Sequence, residues 1–269
     1  ATLSTNYEKK GSHRFHIAVQ TRDFSQSISC ILNKGQRTRE EEEELVTEFV
    51  IALISDCCGF EFKYPEIKED VEHIQIPAQK GWADLMSEKI KFVTSSNQQP
   101  KLIFPGAFNP MHDGHIAMSE LANKELSEEV FFEICIQNVD KPPLSYHQIK
   151  KTIDQFTDSK NWVLTKAGKF SDKAKLFPNS TFIIGADTLV RIFDERFYAS
   201  RREMMEEFEI FNANNNNFLV FGREYKNKFI ELNDIQVPDS IKSRFRGFGE
   251  NIFRKDVSSS TIRAQNSEE

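Results

Sequence analysis

No CxxC pair occurs anywhere in the 269 residues, and the four cysteines (Cys30, Cys57, Cys58 and Cys135) are scattered except for one adjacent couple. That argues against a zinc cage or a thioredoxin-type redox site, and neighbouring cysteines bridge only with strain, so free thiols in a reducing compartment are expected. No run of 18 apolar residues is present, which leaves no candidate membrane span. A basic excess is missing too. Lys and Arg number 35 against 41 Asp and Glu, a formal charge of −6, so a non-specific nucleic-acid binder is not expected. The chain opens on Ala1, with neither an initiator methionine nor the apolar stretch of a secretory signal. An intracellular protein of the cytoplasm or an organelle matrix is therefore expected, Ala1 being the start of a processed chain or of the ordered part of a longer one. What is abundant is phenylalanine, 24 residues of it, in a 39% hydrophobic and 28% charged composition that suits a folded globular chain.

Along the chain, Phe15 to Gln20 reads as a strand and Arg39 to Cys58 as a helix. Leu45, Phe49, Val50, Leu53, Ile54 and Cys57 recur at helical spacing, Gly59 supplies a stop, and the run Glu40 to Glu44 reads as a solvated face at the helix's positive end. A second helix is expected over Asp84 to Phe92. The polar stretch Thr94 to Pro100 then reads as a linker, which divides the chain into residues 1–96 and 97–269. Beyond it strands and helices alternate: Leu102 to Phe104, His115 to Leu126, Val130 to Ile136, Tyr146 to Phe156, Trp162 to Leu164, Thr181 to Ile184, Phe218 to Phe221 and a short final helix Ser259 to Gln265. That order predicts an α/β fold, a Rossmann-like parallel sheet with helices on both faces, preceded by a smaller α/β segment. The asparagine run Asn212 to Asn217 reads as a surface loop.

One stretch carries chemistry. Phe104-Pro105-Gly106-Ala107-Phe108-Asn109-Pro110-Met111-His112-Asp113-Gly114-His115 takes a hydrophobic strand through a glycine loop into a helix start. There a phosphate can meet free backbone N–H groups and the positive end of a helix dipole. Gly106 permits close backbone approach, and His112 and His115, three apart, share a face of the first helical turn. Neutral imidazoles can donate hydrogen bonds to a phosphate there. A histidine pair alone is more often structural; the whole string after a strand is far more specific.

With these residues the sequence resembles the HxGH nucleotidylyltransferase superfamily. His112-Asp113-Gly114-His115 matches its signature, and Gly106-Ala107-Phe108-Asn109-Pro110 matches the loop before it. The superfamily's second signature, a serine/threonine-rich helix start ending in arginine, is matched by Val257-Ser258-Ser259-Ser260-Thr261-Ile262-Arg263, with Val and Ser260 replacing the usual Ile and Thr. Taken alone it would be an ordinary serine N-cap. Gly185-Ala186-Asp187-Thr188 is similar to the segment that meets the ribose of ATP, and Asp187 could equally cap a helix. Lys141 stands where relatives present a phosphate-contacting basic residue, and Arg223, at a strand end, is a candidate nucleotide contact. A solvated lysine and a surface ion-paired arginine are the plainer readings of these two. The resemblance runs from Lys101 to Ala264 and is nearest the cytidylyltransferase-like branch that includes nicotinamide mononucleotide adenylyltransferases.

The resemblance implies transfer of AMP from ATP to a mononucleotide, with nicotinamide mononucleotide as acceptor, and NAD and pyrophosphate as products. His112, His115 and Arg263 would be catalytic. Gly106, Ala107, Phe108, Asn109, Lys141, Gly185, Asp187, Thr188, Arg223, Ser258, Ser259 and Ser260 would bind the nucleotide. Mg²⁺ is implied as well, carried mainly by substrate phosphates and water rather than by a carboxylate cluster. The alternatives are cytidylyl or adenylyl transfer to another phosphorylated acceptor, or a catalytically silent nucleotide-binding subunit of a larger assembly; a homo-oligomer is also open. The N-terminal stretch Lys9 to Gln20 and the acidic helix after it resemble part of a CinA C-terminal-like domain, a family that includes amidohydrolases of nicotinamide mononucleotide. The resemblance begins partway through that domain, so no deamidase activity is expected, and His13 and His16 read as structural.

Overall fold

The computed structural model describes residues 1–4, 10–137, 142–156, 160–255, 257 and 259–265. They form two compact units: Ala1–Ala83 with Ser145–Gln148, and Asp84–Leu144 with Ile149–Glu269.

In the first unit, β1 (His13–Gln20), β2 (Phe24–Leu32) and β3 (Val71–Pro77) pair antiparallel in the order β1-β2-β3. Helix α1 (Arg39–Cys57) contributes Leu45, Phe49 and Leu53 to a core shared with Phe15, Ile28, Cys30 and Leu32. The helix starts where it does because Thr38 and Glu41 close a capping box, each side chain satisfying a backbone N–H at the other's position. The acidic run is not wholly a solvated face. Glu42 is fully buried, accepting from Ser4 N–H at 2.6 Å and paired with His13 Nδ1 at 2.9 Å. A buried carboxylate persists only with such partners. His13 and His16 are both tied into the strands' surroundings, His16 through Ser29 Oγ at 2.9 Å.

The second unit is built on a seven-stranded sheet in the order β12-β9-β8-β5-β6-β7-β4. Its strands are β4 (Phe92–Thr94), β5 (Leu102–Pro105), β6 (Val130–Cys135), β7 (Asn161–Thr165), β8 (Thr181–Gly185), β9 (Asn217–Phe221) and β12 (Phe245–Phe248). Six pair in parallel, and β4 closes one edge antiparallel to β7. A small hairpin of β10 (Arg223–Tyr225) and β11 (Lys228–Ile230) stands apart from it. From β5 the chain moves outward through β6 and β7, then returns to lay β8 on the other side of β5. The order therefore reverses between β5 and β8, and in open α/β sheets ligands bind beyond the strand ends at such a reversal.

The compact unit starts earlier than the expected boundary at 96/97, because β4 precedes that point and belongs to this sheet. The helix expected over Asp84 to Phe92 is confined to α2 (Trp82–Met86): Glu88 takes a left-handed φ of 62° and the chain turns into β4.

Strand alternation sends Ile103, Phe131, Phe182 and Phe218 to one face, where α5 (Phe170–Leu176), α6 (Ala186–Ile192) and α7 (Arg201–Ala213) cover them. Phe104 and Phe132 face the other way, beneath α3 (Asp113–Leu126). Nine of the 24 phenylalanines lie in the strands of this sheet. Phe182, Phe218 and Phe245 run across three strands at ring separations of 5.6 and 4.6 Å. One buried ion pair interrupts the apolar layer: Lys173 Nζ of α5 donates to both oxygens of Glu133 on β6 at 2.8 and 2.7 Å, and Thr165 Oγ1 donates to the same carboxylate at 2.5 Å. The asparagine run is likewise only partly surface. It ends α7 and starts β9, and Asn216, fully buried, donates to Phe177 O at 2.9 Å and Ser180 Oγ at 3.0 Å.

Candidate nucleotide site

The loop from Gly106 to His112 leaves β5 at the reversal point. Its anchor is Phe108, a non-glycine residue in the left-handed region (φ 45°) whose side chain is 1% exposed. The ring packs against Phe104, Phe132, Phe156 and His115 at centroid distances of 5.5, 5.3, 5.8 and 5.0 Å. Of this residue the loop's outer surface is offered backbone, while the ring is core. That packing explains Gly106, since a Cβ there would stand 2.6 Å from Phe108 Cζ. Gly106 N–H itself is tied to Glu133 O at 3.0 Å.

His112 is the N-cap of α3, and His115 lies in the first turn. The two rings stack at 3.7 Å with 23° between their planes, as the shared helical face implied. Gly114 leaves room for this: a Cβ would lie 3.0 Å from the His112 ring. His112 N–H donates to His115 Nδ1 at 3.3 Å. With Nδ1 accepting, the His115 proton resides on Nε2, making that nitrogen a donor. Burial, the neighbouring imidazole and the Arg223 cation push the His115 pKa down to about 3. Burial first and Arg223 second also lower that of His112. Both rings are neutral donors at pH 7. His112 Nδ1 is buried and has no hydrogen-bond partner among the described residues.

Across the reversal, β8 ends at Gly185 and α6 begins at Ala186, placing Asp187 in its first turn and Thr188, half-buried, beside it. Arg223 Nη1 reaches Asp187 Oδ1 at 3.4 Å, both groups partly open to solvent. The plainer reading of Arg223 as ion-paired is thus met, with a partner that is itself a candidate ribose contact. A Cβ on Gly185 would sit 2.5 Å from Asp187 Oδ1 and 3.1 Å from Arg223 Cδ, so glycine makes that pairing possible.

The distant serine-arginine turn closes on the same loop. In α8 (Ser259–Gln265), Ser259 Oγ donates to Pro110 O at 2.8 Å, and Arg263 Nη1 donates to Asn109 O. These contacts join residues 149 and 154 positions apart. Lys141, Ser258 and the side chain of Ser260 lie outside the described residues. Sequence reading passed over Gln155, whose amide bonds two points of the loop: Nε2 donates to Phe108 O and Oε1 accepts from Met111 N–H, both at 2.8 Å. Nothing local distinguishes that glutamine from a surface residue of the preceding helix.

Among the described residues, no group of three or more His, Cys, Asp or Glu could hold a metal ion, and no helix is long and apolar enough to cross a membrane. The donors at the loop are imidazole, guanidinium, hydroxyl and backbone N–H, a set suited to phosphate oxygens. A cavity of about 950 Å³ beside α7, lined by Met204, Phe208 and Phe245 among others, contains none of these residues.

Residues 103–265 match the family model described as cytidylyltransferase-like. Among solved structures the chain is similar to Plasmodium falciparum nicotinic acid mononucleotide adenylyltransferase complexed with NaAD, at 17% identity and a TM-score of 0.35, over 62% of this chain and 83% of that one. It is similar to the same enzyme complexed with APC at 16% identity and a TM-score of 0.32, with the same coverage. No curated protein matches the chain. The family match spans the loop, both histidines, Asp187, Arg223 and the closing serine-arginine turn, and omits the N-terminal segment likened to CinA; the chain belongs to the cytidylyltransferase-like family.

Proposed function

We propose that this chain transfers AMP from MgATP to nicotinamide mononucleotide, forming NAD and releasing pyrophosphate. Membership of the family and the α/β fold support a nucleotidyltransferase; the adenylyl donor and the nicotinamide acceptor rest on the sequence resemblance. One observation carries the reading: the loop after β5, the first turn of α3 and the Ser259–Arg263 turn meet where the sheet order reverses.

In the proposed reaction a phosphate oxygen of the acceptor attacks the α-phosphorus of ATP in line. A new P–O bond forms, the bond to the bridging oxygen of the β-phosphate breaks, and pyrophosphate leaves with that electron pair. No protein nucleophile is needed, so the residues act by positioning and charge stabilisation. Neutral His112 and His115 donate to phosphate oxygens, His115 through Nε2–H. Arg263, with Ser258, Ser259 and Ser260, holds the leaving phosphates, and the planar guanidinium can grip two oxygens at once. Asp187 accepts from ribose hydroxyls, with Thr188 and Arg223 beside it, while Gly106, Ala107 and Asn109 present backbone to the nucleotide and Lys141 meets a phosphate. Mg²⁺ carried by the triphosphate would supply charge neutralisation of the leaving group, with Arg263 and the serines adding to it from the protein side.

The test is direct. Incubation with MgATP and nicotinamide mononucleotide is expected to yield NAD and pyrophosphate in equal amounts, and His115→Ala to lose about 2–4 kcal/mol of transition-state stabilisation. Product only with CTP, or only with another acceptor such as phosphopantetheine, would move the substrate assignment. No product with any pair would leave a nucleotide-binding accessory subunit.

A further inference from the structure

We propose that Gln155 is a positioning residue for the phosphate site: by holding Phe108 O and Met111 N–H at once, it fixes the loop that carries His112. The proposal rests on the reading of that loop as the nucleotide's phosphate site.

Between Phe108 and Met111 the backbone belongs to neither sheet nor helix, so its polar groups need partners from elsewhere. Each of the four residues finds one in a side chain outside the loop. Gln155 takes Phe108 O and Met111 N–H, Arg263 takes Asn109 O, and Ser259 takes Pro110 O. These ties differ in what a nucleotide would do to them. Ser259 has a single O–H, so donating to a phosphate means releasing Pro110 O. Arg263 would likewise share its fork between the loop and the triphosphate. Gln155 has no proposed role toward the nucleotide, and its two bonds can stay with the loop as substrate enters.

The location suits a brace. Gln155 follows α4 (Tyr146–Ile153), is half-buried, and also donates to Thr152 O at 3.3 Å. Its neighbour Phe156 packs on Phe108 and Phe132 at 5.8 and 5.1 Å, fixing the segment beneath the loop. The chemistry is demanding, because one side chain must present a donor and an acceptor 2.8 Å from two backbone groups three residues apart. Glutamate at neutral pH has only acceptors and would face the Phe108 carbonyl with like charge. Methionine has the length and neither group.

Gln155→Met and Gln155→Glu, each in the full chain and checked for retained fold by circular dichroism and melting temperature, test the proposal. With MgATP and nicotinamide mononucleotide, both are expected to lower kcat by about tenfold or more while leaving KM for the acceptor within about threefold. The Glu variant should recover relative to the parent as the pH falls from 8 to 5, since a protonated carboxyl again has one donor and one acceptor; the Met variant should not. The deciding readout needs no turnover. His115 packs on Phe108, with His112, Arg223 and Asp113 as the ionisable groups around the pair. Loosening the loop should admit water and raise the His115 titration, followed by NMR, by about one pH unit or more in Gln155→Met. An unchanged His115 titration would overturn the brace whatever the activities show. A parent protein without transfer activity, together with a shifted His115 in the variant, would instead sink the proposed function and leave the brace standing.

Discussion

His115 shows how much one side chain's surroundings decide. Its imidazole lies against Phe104, Phe108 and His112, with Nδ1 accepting from the His112 amide, and its pKa falls from 6.5 to about 3. The unfolded chain, with an ordinary histidine, therefore binds a proton that the folded chain refuses between those values. Stability must rise with pH across that window and fall as pH drops below 6.5. Urea unfolding of the parent and of His115→Asn at pH 7 and pH 5 should show the parent losing about 2 kcal/mol more over that interval. Equal losses in the two proteins would mean that the ring is hydrated in the native state. The spacing of His112 and His115 made the stacked pair legible in the sequence. The depressed pKa was not, because it depends on Phe108 folding back under the loop and on Arg223, more than a hundred positions away.

Elements are tied together here by polar groups that the periodic patterns do not reveal. Helix α5 is fastened to the middle of the sheet by Lys173 on Glu133, with Ala167 O accepting from the same Nζ at 2.7 Å. Lys173→Met would leave the Glu133 carboxylate buried beside Thr165 without its cation, and a loss of about 3–5 kcal/mol is expected in chemical denaturation. Adding Glu133→Leu should restore most of that loss; a double variant as unstable as the single one would show that the pair itself is the stabilising unit. The strands of the second unit from β5 through β9, with helices α3 and α4, were readable because each apolar run is bounded by turn residues and faces a covered layer, whereas α5, α6 and α7 were missed. Strands β2 and β3 were passed over. In FSQSISCIL and VEHIQIP the alternation is interrupted by serine, glutamine and histidine, and what decides them is pairing: β2 with β1 across a short turn, and β3 with β2 across some forty residues of chain. Helix α2 came out short for a similar reason, since β4 gains more by joining β7 than by continuing a helix.

At the scale of the whole molecule, the family match covers residues 103–265 and with them the point where the sheet order reverses, and a layer of phenylalanines packs against that sheet. Phe218 is the centre of this layer, fully buried and within 4.6 to 5.6 Å of the rings of Phe245, Phe211 and Phe182. Phe218→Ala is expected to cost about 3–5 kcal/mol in equilibrium unfolding. A cost below about 1 kcal/mol would show that the neighbouring rings close the gap. The loop and the final helix lie at opposite ends of the second unit's sequence, with every sheet strand but β4 and β5 made between them. During synthesis the ribosome thus delivers a complete sheet while Asn109 and Pro110 still await Arg263 and Ser259. A chain arrested just before Ser259 would carry both histidines on a finished scaffold, with half of the loop's fastenings missing.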